Sequence, residues 1–426
     1  MKDLKSVKAH LDKISPSVCY AKWLHSDINF NQHTTASCHL NLPHKISKVA
    51  VGRDIFNTPQ KTKERQAMLS GQQPKGCDYC WKLERQGSVS DRLIQSQTYM
   101  QEGYDASVFT QDKDVVPSTV AITFDNLCNF ACSYCDNSQS TTWGNLLHKQ
   151  GYFENIHSDE TERYKKSLNT YKIDDTQHER LYNELCKYFE NNHTKINTVR
   201  FLGGEPCTSP TFWKFIKFLS TLNCKHMGVQ IFSNCCPSNK FNINVLANYI
   251  NDFKKIQIYG SVENIEQSAE FTRYGTDWNT ILQNITNLNA KGVVISLACT
   301  ISALTVLNYD KFLEWIATQP YVYSSGAYQV VNPAFQSLRV LPKHIRDNLA
   351  HKINHQLEKN KDIFVKLDAY DQIQNVVDTL NNNSPIENID VLQKDLKTFT
   401  KQFAQKTGKD VSVLGSAFET WLQEND

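Results

Sequence analysis

Between about residues 115 and 335, short β-branched or aromatic runs alternate with amphipathic stretches of helical period. This alternation limits the possible folds more than any other property of the chain. The runs fall at 119–125, 198–202, 229–233, 255–261, 293–300 and 327–331, with helices expected at 178–191, 211–222, 243–252, 278–291 and 308–318. Successive strand–helix units predict a parallel sheet, and six of them fit an open, partial (β/α)6 barrel of the TIM type. Three regions follow. Residues 1–112 read as an irregular, turn-rich, cysteine-containing domain, 113–340 as the barrel, and 341–426 as a helical extension with a polar break at Asn381-Asn-Asn-Ser-Pro385. The expected class is α/β.

Composition narrows the function classes. The chain has 426 residues and a net charge of +2, so its charge balance does not call for nucleic acid or an anionic membrane. No apolar run approaches the roughly 18–20 residues that span a bilayer, and the first residues lack the apolar core of a secretion signal. A cytoplasmic protein is expected. In a reducing compartment, thirteen cysteines predict metal binding or catalysis rather than a disulfide framework. Seven of them precede residue 136.

Three of those seven form Cys128-Asn-Phe-Ala-Cys132-Ser-Tyr-Cys135, in the loop after the first predicted barrel strand. Three thiolates can hold three irons of a 4Fe–4S cluster and leave the fourth iron open for a small molecule. A zinc knuckle fragment is the alternative for the spacing alone. Polar or glycine-rich stations end the next strands in order: Gly203-Gly204-Glu205-Pro206, then Ser233-Asn234, then Ser261-Val-Glu263. Loops at the C-terminal ends of parallel strands build the working face of such barrels, so all four stations are expected on one rim.

The CxxxCxxC loop followed by the GGEP run resembles the signature of the radical S-adenosylmethionine (SAM) superfamily. The resemblance implies a SAM-binding 4Fe–4S cluster on Cys128, Cys132 and Cys135, which are thereby the expected catalytic residues. It implies that SAM is cleaved reductively to a 5′-deoxyadenosyl radical, which takes hydrogen from a substrate. Gly203, Gly204 and Glu205 are then expected at the amino group of SAM. Tyr134 is expected to back the cluster or face the adenine. Ser233, Asn234, Ser261 and Glu263 would serve the ribose or the carboxylate surroundings, and Arg273 would fork onto the carboxylate. A low-potential electron donor such as flavodoxin or ferredoxin is the implied partner.

Upstream lie Cys19, Cys38 and the pair Cys77-Asp-Tyr-Cys80. Four thiolates can saturate a zinc ion or one further cluster, and spacing alone leaves both open. His39 could replace one thiolate. The segment resembles the cluster-binding part of SPASM/twitch radical SAM enzymes, which implies a second, auxiliary 4Fe–4S cluster. That domain ordinarily follows the barrel; here it precedes it, as in twitch domain-containing radical SAM proteins. The resemblance covers about residues 17–340. It implies a peptide or small-molecule substrate, with peptide modification favoured. A non-catalytic Fe–S or zinc scaffold is the reading from another class, and RNA modification is disfavoured by the weak net charge.

Two further features are open at this level. Cys235-Cys236 follow the third strand and could donate hydrogen to a substrate radical or simply fill the core. The stretch 137–176 could be a substrate lid or a solvated insertion.

Overall fold

In a computed structural model the chain is described at residues 4–47, 52–112, 114–159, 162–164, 175–238 and 240–424. Its strands are β1 His25–Asn29, β2 Thr34–Ala36, β3 His44–Lys45, β4 Thr119–Thr123, β5 Ala131–Cys132, β6 Thr198–Leu202, β7 Gly228–Ser233, β8 Lys255–Gly260, β9 Arg273–Tyr274, β10 Val294–Ile301 and β11 Val322–Gln329. Among the described residues, nine of these form one sheet in the order β11-β10-β8-β7-β6-β4-β1-β2-β3. From β4 to β11 the strands lie side by side in chain order and run parallel. That is the winding of a partial barrel, with six strands as the alternation predicts.

The helices between them bury one face against the sheet. In Pro210–Thr221, Phe212, Phe215, Ile216 and Leu219 recur at helical spacing and are fully buried. Each such side chain contributes about 1.5–3 kcal/mol relative to exposure. Ser209 caps this helix by accepting from Phe212 N at 3.3 Å. Its hydroxyl also donates to Asp125 Oδ2 at 2.5 Å, so the helix start is tied to the loop after β4.

Three details differ from expectation. The last barrel strand begins at Val322, five residues before the predicted run, because Ser324, Ser325 and Gly326 occupy strand positions where β-branched residues would be expected. The segment expected as a helix at 243–252 is a 3-10 turn, Ile243–Tyr249. Residues 1–112 are not irregular: they contain Leu4–Asp12, Ala21–Leu24, Gly52–Phe56, Pro59–Leu69, Asp78–Arg85 and Asp91–Gln101 as helices. The buried face of Pro59–Leu69 includes Lys61, Glu64 and Arg65, so it shows little apolar period. Its start is set by Pro59 and by Thr58, whose hydroxyl accepts from Lys61 N.

The N-terminal region is also not a separate sheet. β1 pairs in parallel with β4, with Asp27 opposite Ala121 and Asn29 opposite Thr123, and so continues the barrel by one strand. The expected division at 112/113 cuts this sheet; residue 113 itself lies outside the described residues. After the barrel come the helices Lys343–Lys359, Lys361–Lys366, Tyr370–Asn381, Ile389–Thr407 and Ser416–Gln423. No helix among the described residues is long and apolar enough to cross a membrane.

Candidate active site

The loop from Asp125 to Cys135 turns inward at the C-terminal end of β4 and is fastened on every side. β5 carries Cys132 and pairs antiparallel with β9, setting Cys132 opposite Arg273. The hydroxyl of Thr142 donates to Cys128 O at 2.7 Å, that of Ser140 to Phe130 O at 2.5 Å, and the indole of Trp143 to Cys132 O at 2.8 Å. From the third strand's end, Asn234 Nδ2 donates to Asn129 Oδ1 at 3.0 Å, while Asn129 Nδ2 donates to Cys236 O at 2.7 Å. Gln336 Nε2 reaches Ser133 O at 2.7 Å from beyond the barrel. Nothing in a one-dimensional pattern marks Ser140, Thr142 or Gln336 as side chains that bond a loop carbonyl, and Trp143 is legible only as part of the 137–176 stretch read as a lid or a solvated insertion.

Cys128, Cys132 and Cys135 line one cavity of about 1,020 Å³ together with Tyr134, Gly203, Gly204, Asn234, Ser261 and Arg273. The expected rim is therefore brought together in large part. The residues fit an iron–sulfur cluster by their donor chemistry: three sulfurs of one loop face one space, and Phe130 N lies 3.4 Å from Cys128 Sγ, where its N–H suits a thiolate. Burial, reinforced by Cys132, pushes the Cys128 thiol up to about 12, so its ionisation calls for a positive centre beside it.

Gly203 and Gly204 have a tighter reason than room for a ligand. A side-chain carbon on Gly203, at φ +121°, would meet Asp125 O at 2.7 Å, and one on Gly204 would meet Leu127 O at 2.3 Å. The pair lets the cysteine loop lie directly on the second strand's end, where Glu205 N donates to Leu127 O at 2.7 Å. Gly275, at φ +104°, does the same from the other side, since its substituent would meet Asn129 O at 2.6 Å.

Glu205, Ser233 and Glu263 do not line this cavity. Glu205 is 1% exposed and its carboxylate is consumed within the protein. Oε1 accepts from Cys207 N at 3.0 Å and from Ser233 Oγ at 2.9 Å, and Oε2 accepts from Asn234 N at 2.5 Å. It staples the ends of β6 and β7 behind the cavity wall. Burial raises its pKa, and these bonds oppose the rise. Asn234 lines the cavity, but Asn129 and Cys236 N already use its side chain.

Glu263, Tyr134 and Arg273 form one buried network. Tyr134 Oη donates to Glu263 Oε1 at 2.8 Å and accepts from Arg273 Nη1, which also lies 3.4 Å from both Glu263 oxygens. Arg273 also stands over the Phe130 ring at 5.6 Å. Its charge faces Glu263 as well as the cavity, so it is engaged before any ligand carboxylate arrives. Burial raises the Glu263 pKa against the opposing pull of Arg273 and Tyr134. Burial also opposes the Arg273 charge, but Cys132, Tyr134 and Glu263 more than offset this and hold the guanidinium charged.

Cys235 and Cys236 are buried and do not line the cavity. The 137–176 stretch, of which 160–161 and 165–174 lie outside the described residues, acts as backing rather than as a lid over its first part. Phe153 and Tyr164 pack with Phe399 of Ile389–Thr407, Trp143 with Phe403 of the same helix, and the three with one another, at centroid separations near 5–6 Å. Asp395 Oδ2 on that helix accepts from His157 N, Ser158 N and Ser158 Oγ at 2.6–2.8 Å.

A second, much tighter pocket is lined by all four upstream cysteines, Cys19, Cys38, Cys77 and Cys80. Burial pushes Cys19 and Cys38 up to about 12 and Cys80 to about 11. Two buried cations stand beside these sulfurs, each on a carboxylate: Lys22 on Glu64, and Arg92, which forks onto Glu84 at 2.8 Å through Nε and Nη2. Asn41 Nδ2 is 3.8 Å from Cys77 Sγ. Four thiols, Cys19 and Cys80 buried and Cys38 and Cys77 partly buried, with cations alongside suit a bound metal or cluster. No three His, Cys, Asp or Glu side chains among the described residues form a ready-made single-ion site. His39 is more than half exposed and its Nε2 lies 3.7 Å from Asp91 Oδ2.

The radical SAM superfamily model matches residues 122–317, so the barrel is a radical SAM superfamily domain. No curated protein matches the chain. Among solved structures, native anSMEcpe with bound AdoMet aligns at 15% identity and a TM-score of 0.38, over 57% of this chain and 60% of that one. The radical S-adenosylmethionine methyltransferase TsrM from Kitasatospora setae, with cobalamin and a [4Fe-4S] cluster bound, aligns at 10% identity and a TM-score of 0.31. That alignment covers 49% of this chain and 34% of TsrM. The chain thus spans less than two thirds of the length of either.

Proposed function

We propose that this chain, built on a radical SAM superfamily domain, is an enzyme that cleaves SAM reductively and removes hydrogen from a peptide or small-molecule substrate. The observation that carries the reading is the convergence of Cys128, Cys132 and Cys135 on one cavity whose wall continues through the ends of successive parallel strands. When bound at these three thiolates, a 4Fe–4S cluster supplies a low-potential electron to the sulfonium of SAM, yielding methionine and a 5′-deoxyadenosyl radical.

The protein's own part is positional. Gly203, Gly204 and Gly275 let the cysteine loop seat against β6 and β9. Tyr134, held by Glu263 and Arg273, makes a fixed polar wall beside the sulfurs, and Asn234 and Ser261 offer polar edges along the rim. The aromatic packing of Trp143, Phe153, Tyr164 and Phe399 keeps water from the back of the loop.

Cys19, Cys38, Cys77 and Cys80 are assigned to an auxiliary 4Fe–4S cluster, with zinc as the alternative. A cluster held there would give the oxidised substrate's electron a destination. An external flavodoxin or ferredoxin is the proposed donor to the first site, in the cytoplasm, and peptide modification is the favoured outcome. A non-catalytic scaffold is disfavoured by the open cavity beside the first three thiols, which a structural metal site does not need. Anaerobic reconstitution followed by iron counting tests the pair of sites: about eight irons per chain supports two clusters, and about four with zinc supports a ribbon. Failure of a fully loaded sample to form 5′-deoxyadenosine under reductant would sink the enzyme reading.

A further inference from the structure

Beneath the cysteine cavity the barrel wall carries a guanidinium that SAM cleavage does not use. In β6, Phe201 packs outward on Phe212 and Phe215 of the helix Pro210–Thr221, so Arg200 and Leu202 face the barrel's interior. Leu202 lines the cavity of Cys128, Cys132 and Cys135. Arg200 stands one layer below it on the same face, about 7 Å along the strand. β7 repeats the arrangement, with Phe232 lining the cysteine cavity and Gln230 one layer below. The register sets Arg200 between Ala121 and Gln230, and Gln230 beside Gln257. Gln230, Gln257 and Tyr259 line a broad cavity of the interior toward the N-terminal ends of the strands.

Arg200 keeps most of its donors unspent. Its Nε donates to Gln230 Oε1 at 2.7 Å, and this is its one hydrogen bond among the described residues. Both Nη nitrogens lack an acceptor there, and neither is sealed from solvent. The nearby acids leave it unpaired. Asp27, beyond Ala121 in the same row, is engaged by His25 at 3.1 Å. Burial raises the Glu102 carboxyl and the Arg200 charge opposes the rise, but the two form no ion pair. Lys255 lies a layer lower and stands over the Tyr323 ring at 5.5 Å. Between the Arg200 layer and the cysteine cavity, the rings of Phe232 and Tyr259 stack 4.8 Å apart at 9°. Burial raises the Tyr259 phenol, and again the Arg200 charge opposes the rise.

We infer that Arg200 anchors the substrate by a carboxylate, with the carbon chain lying along the Phe232 and Tyr259 rings toward the three thiols. Two Nη groups present a planar fork that matches the two oxygens of a carboxylate. One positive charge among the neutral Ala121, Gln230 and Gln257 balances a carboxylate and leaves a phosphate dianion half neutralised. The stacked rings offer an apolar track for the carbons that give up hydrogen, so the assignment rests on the radical SAM reading. The carboxylate can belong to a free small acid or to an acidic side chain of a peptide.

Anaerobic calorimetry on the reconstituted full chain tests this with five probes. They are hexanoate, Nα-acetyl-glutamate N-methylamide, their uncharged counterparts hexanamide and Nα-acetyl-glutamine N-methylamide, and inorganic phosphate. At least one carboxylate is expected to bind about tenfold or more tightly than its amide. Arg200→Gln is expected to lose at least that factor, and Arg200→Lys to recover part of it. Preference for hexanoate points to a small acid, and preference for the glutamate derivative to a peptide. Equal binding of acids and amides, no binding of either acid, tighter binding of phosphate, or unchanged binding by Arg200→Gln overturns the assignment. If Arg200→Gln does not fold, phenylglyoxal modification of Arg200 in the unmodified chain decides, read by mass spectrometry. The acid should slow it tenfold relative to the amide, and no protection overturns the assignment. Deoxyadenosine formation by the same sample is scored separately. Its absence beside carboxylate binding refutes the radical reading only, and its presence without carboxylate binding refutes the Arg200 assignment only.

Discussion

Replacing Gly204 by alanine should disable the cysteine loop through a single methyl group. The added carbon would stand 2.3 Å from Leu127 O and 2.7 Å from the carbonyl carbons of Asn126 and Leu127. These are backbone atoms, so no side chain can swing away. Reaching even 3.0 Å requires a shift of at least 3.0 − 2.3 = 0.7 Å in the segment that leads into Cys128. Overpacking of this kind costs about 1–3 kcal/mol. A displacement approaching 1 Å at a reacting centre costs about 100-fold in rate. We therefore expect G204A to have a lower urea midpoint, less iron per chain after reconstitution, and about 100-fold slower deoxyadenosine formation. Gly144 is the control. It lies within the helix Thr141–Gln150 with nothing within 4 Å of the new carbon. There alanine should stabilise by up to about 1 kcal/mol and leave iron loading unchanged. If G204A loads iron and forms deoxyadenosine within twofold of the unmodified protein, the loop-seating account is wrong.

Four other outcomes follow from the same structure. Arg273→Met strands Glu263, which is wholly buried, and should cost about 3–5 kcal/mol in urea unfolding, whereas the double change Arg273→Met with Glu263→Met should cost less. Asp395→Ala leaves two backbone N–H groups at 157 and 158 without their acceptor; we expect a loss of about 1–3 kcal/mol and faster bleaching of the reconstituted protein in air. Glu84 is pushed up by burial but held below the usual range by Arg92 and Ser90. Its contribution is therefore full above the unfolded value near about 4.3 and is lost as pH falls through the lower folded value. The urea midpoint of metal-free E84Q should thus lie below that of the unmodified chain at pH 7 and converge with it below about pH 4. Changing Cys77 and Cys80 to Ala should halve the iron content and spare SAM cleavage while blocking substrate oxidation, as read by mass spectrometry of the products.

How far sequence reached depended on where each signal lay. The barrel strands carry β-branched and aromatic runs, so five of the six were found within two residues of their ends. β11 was caught only in its second half because Ser-Ser-Gly reads as a turn. The helix Pro59–Leu69 was missed because its buried face carries charge, and β1, His-Ser-Asp-Ile-Asn, because it lacks strand formers. The cysteines were findable because ligand spacing is local. The destination of Glu205 was not: a carboxylate after two glycines looks like a ligand contact, and only the approach of β7 shows its oxygens spent on Ser233 and Asn234.

The account stands most directly on one anaerobic measurement. Reconstituted protein is reduced in the presence of SAM, and methionine and 5′-deoxyadenosine are quantified beside variants with Cys128, Cys132 or Cys135 changed to Ala. The account predicts the two products in equal amounts from the unmodified chain and none from any of the three variants, even though iron remains at Cys19, Cys38, Cys77 and Cys80. Equal turnover by the variants, or no products from an unmodified chain carrying its full iron, would contradict it.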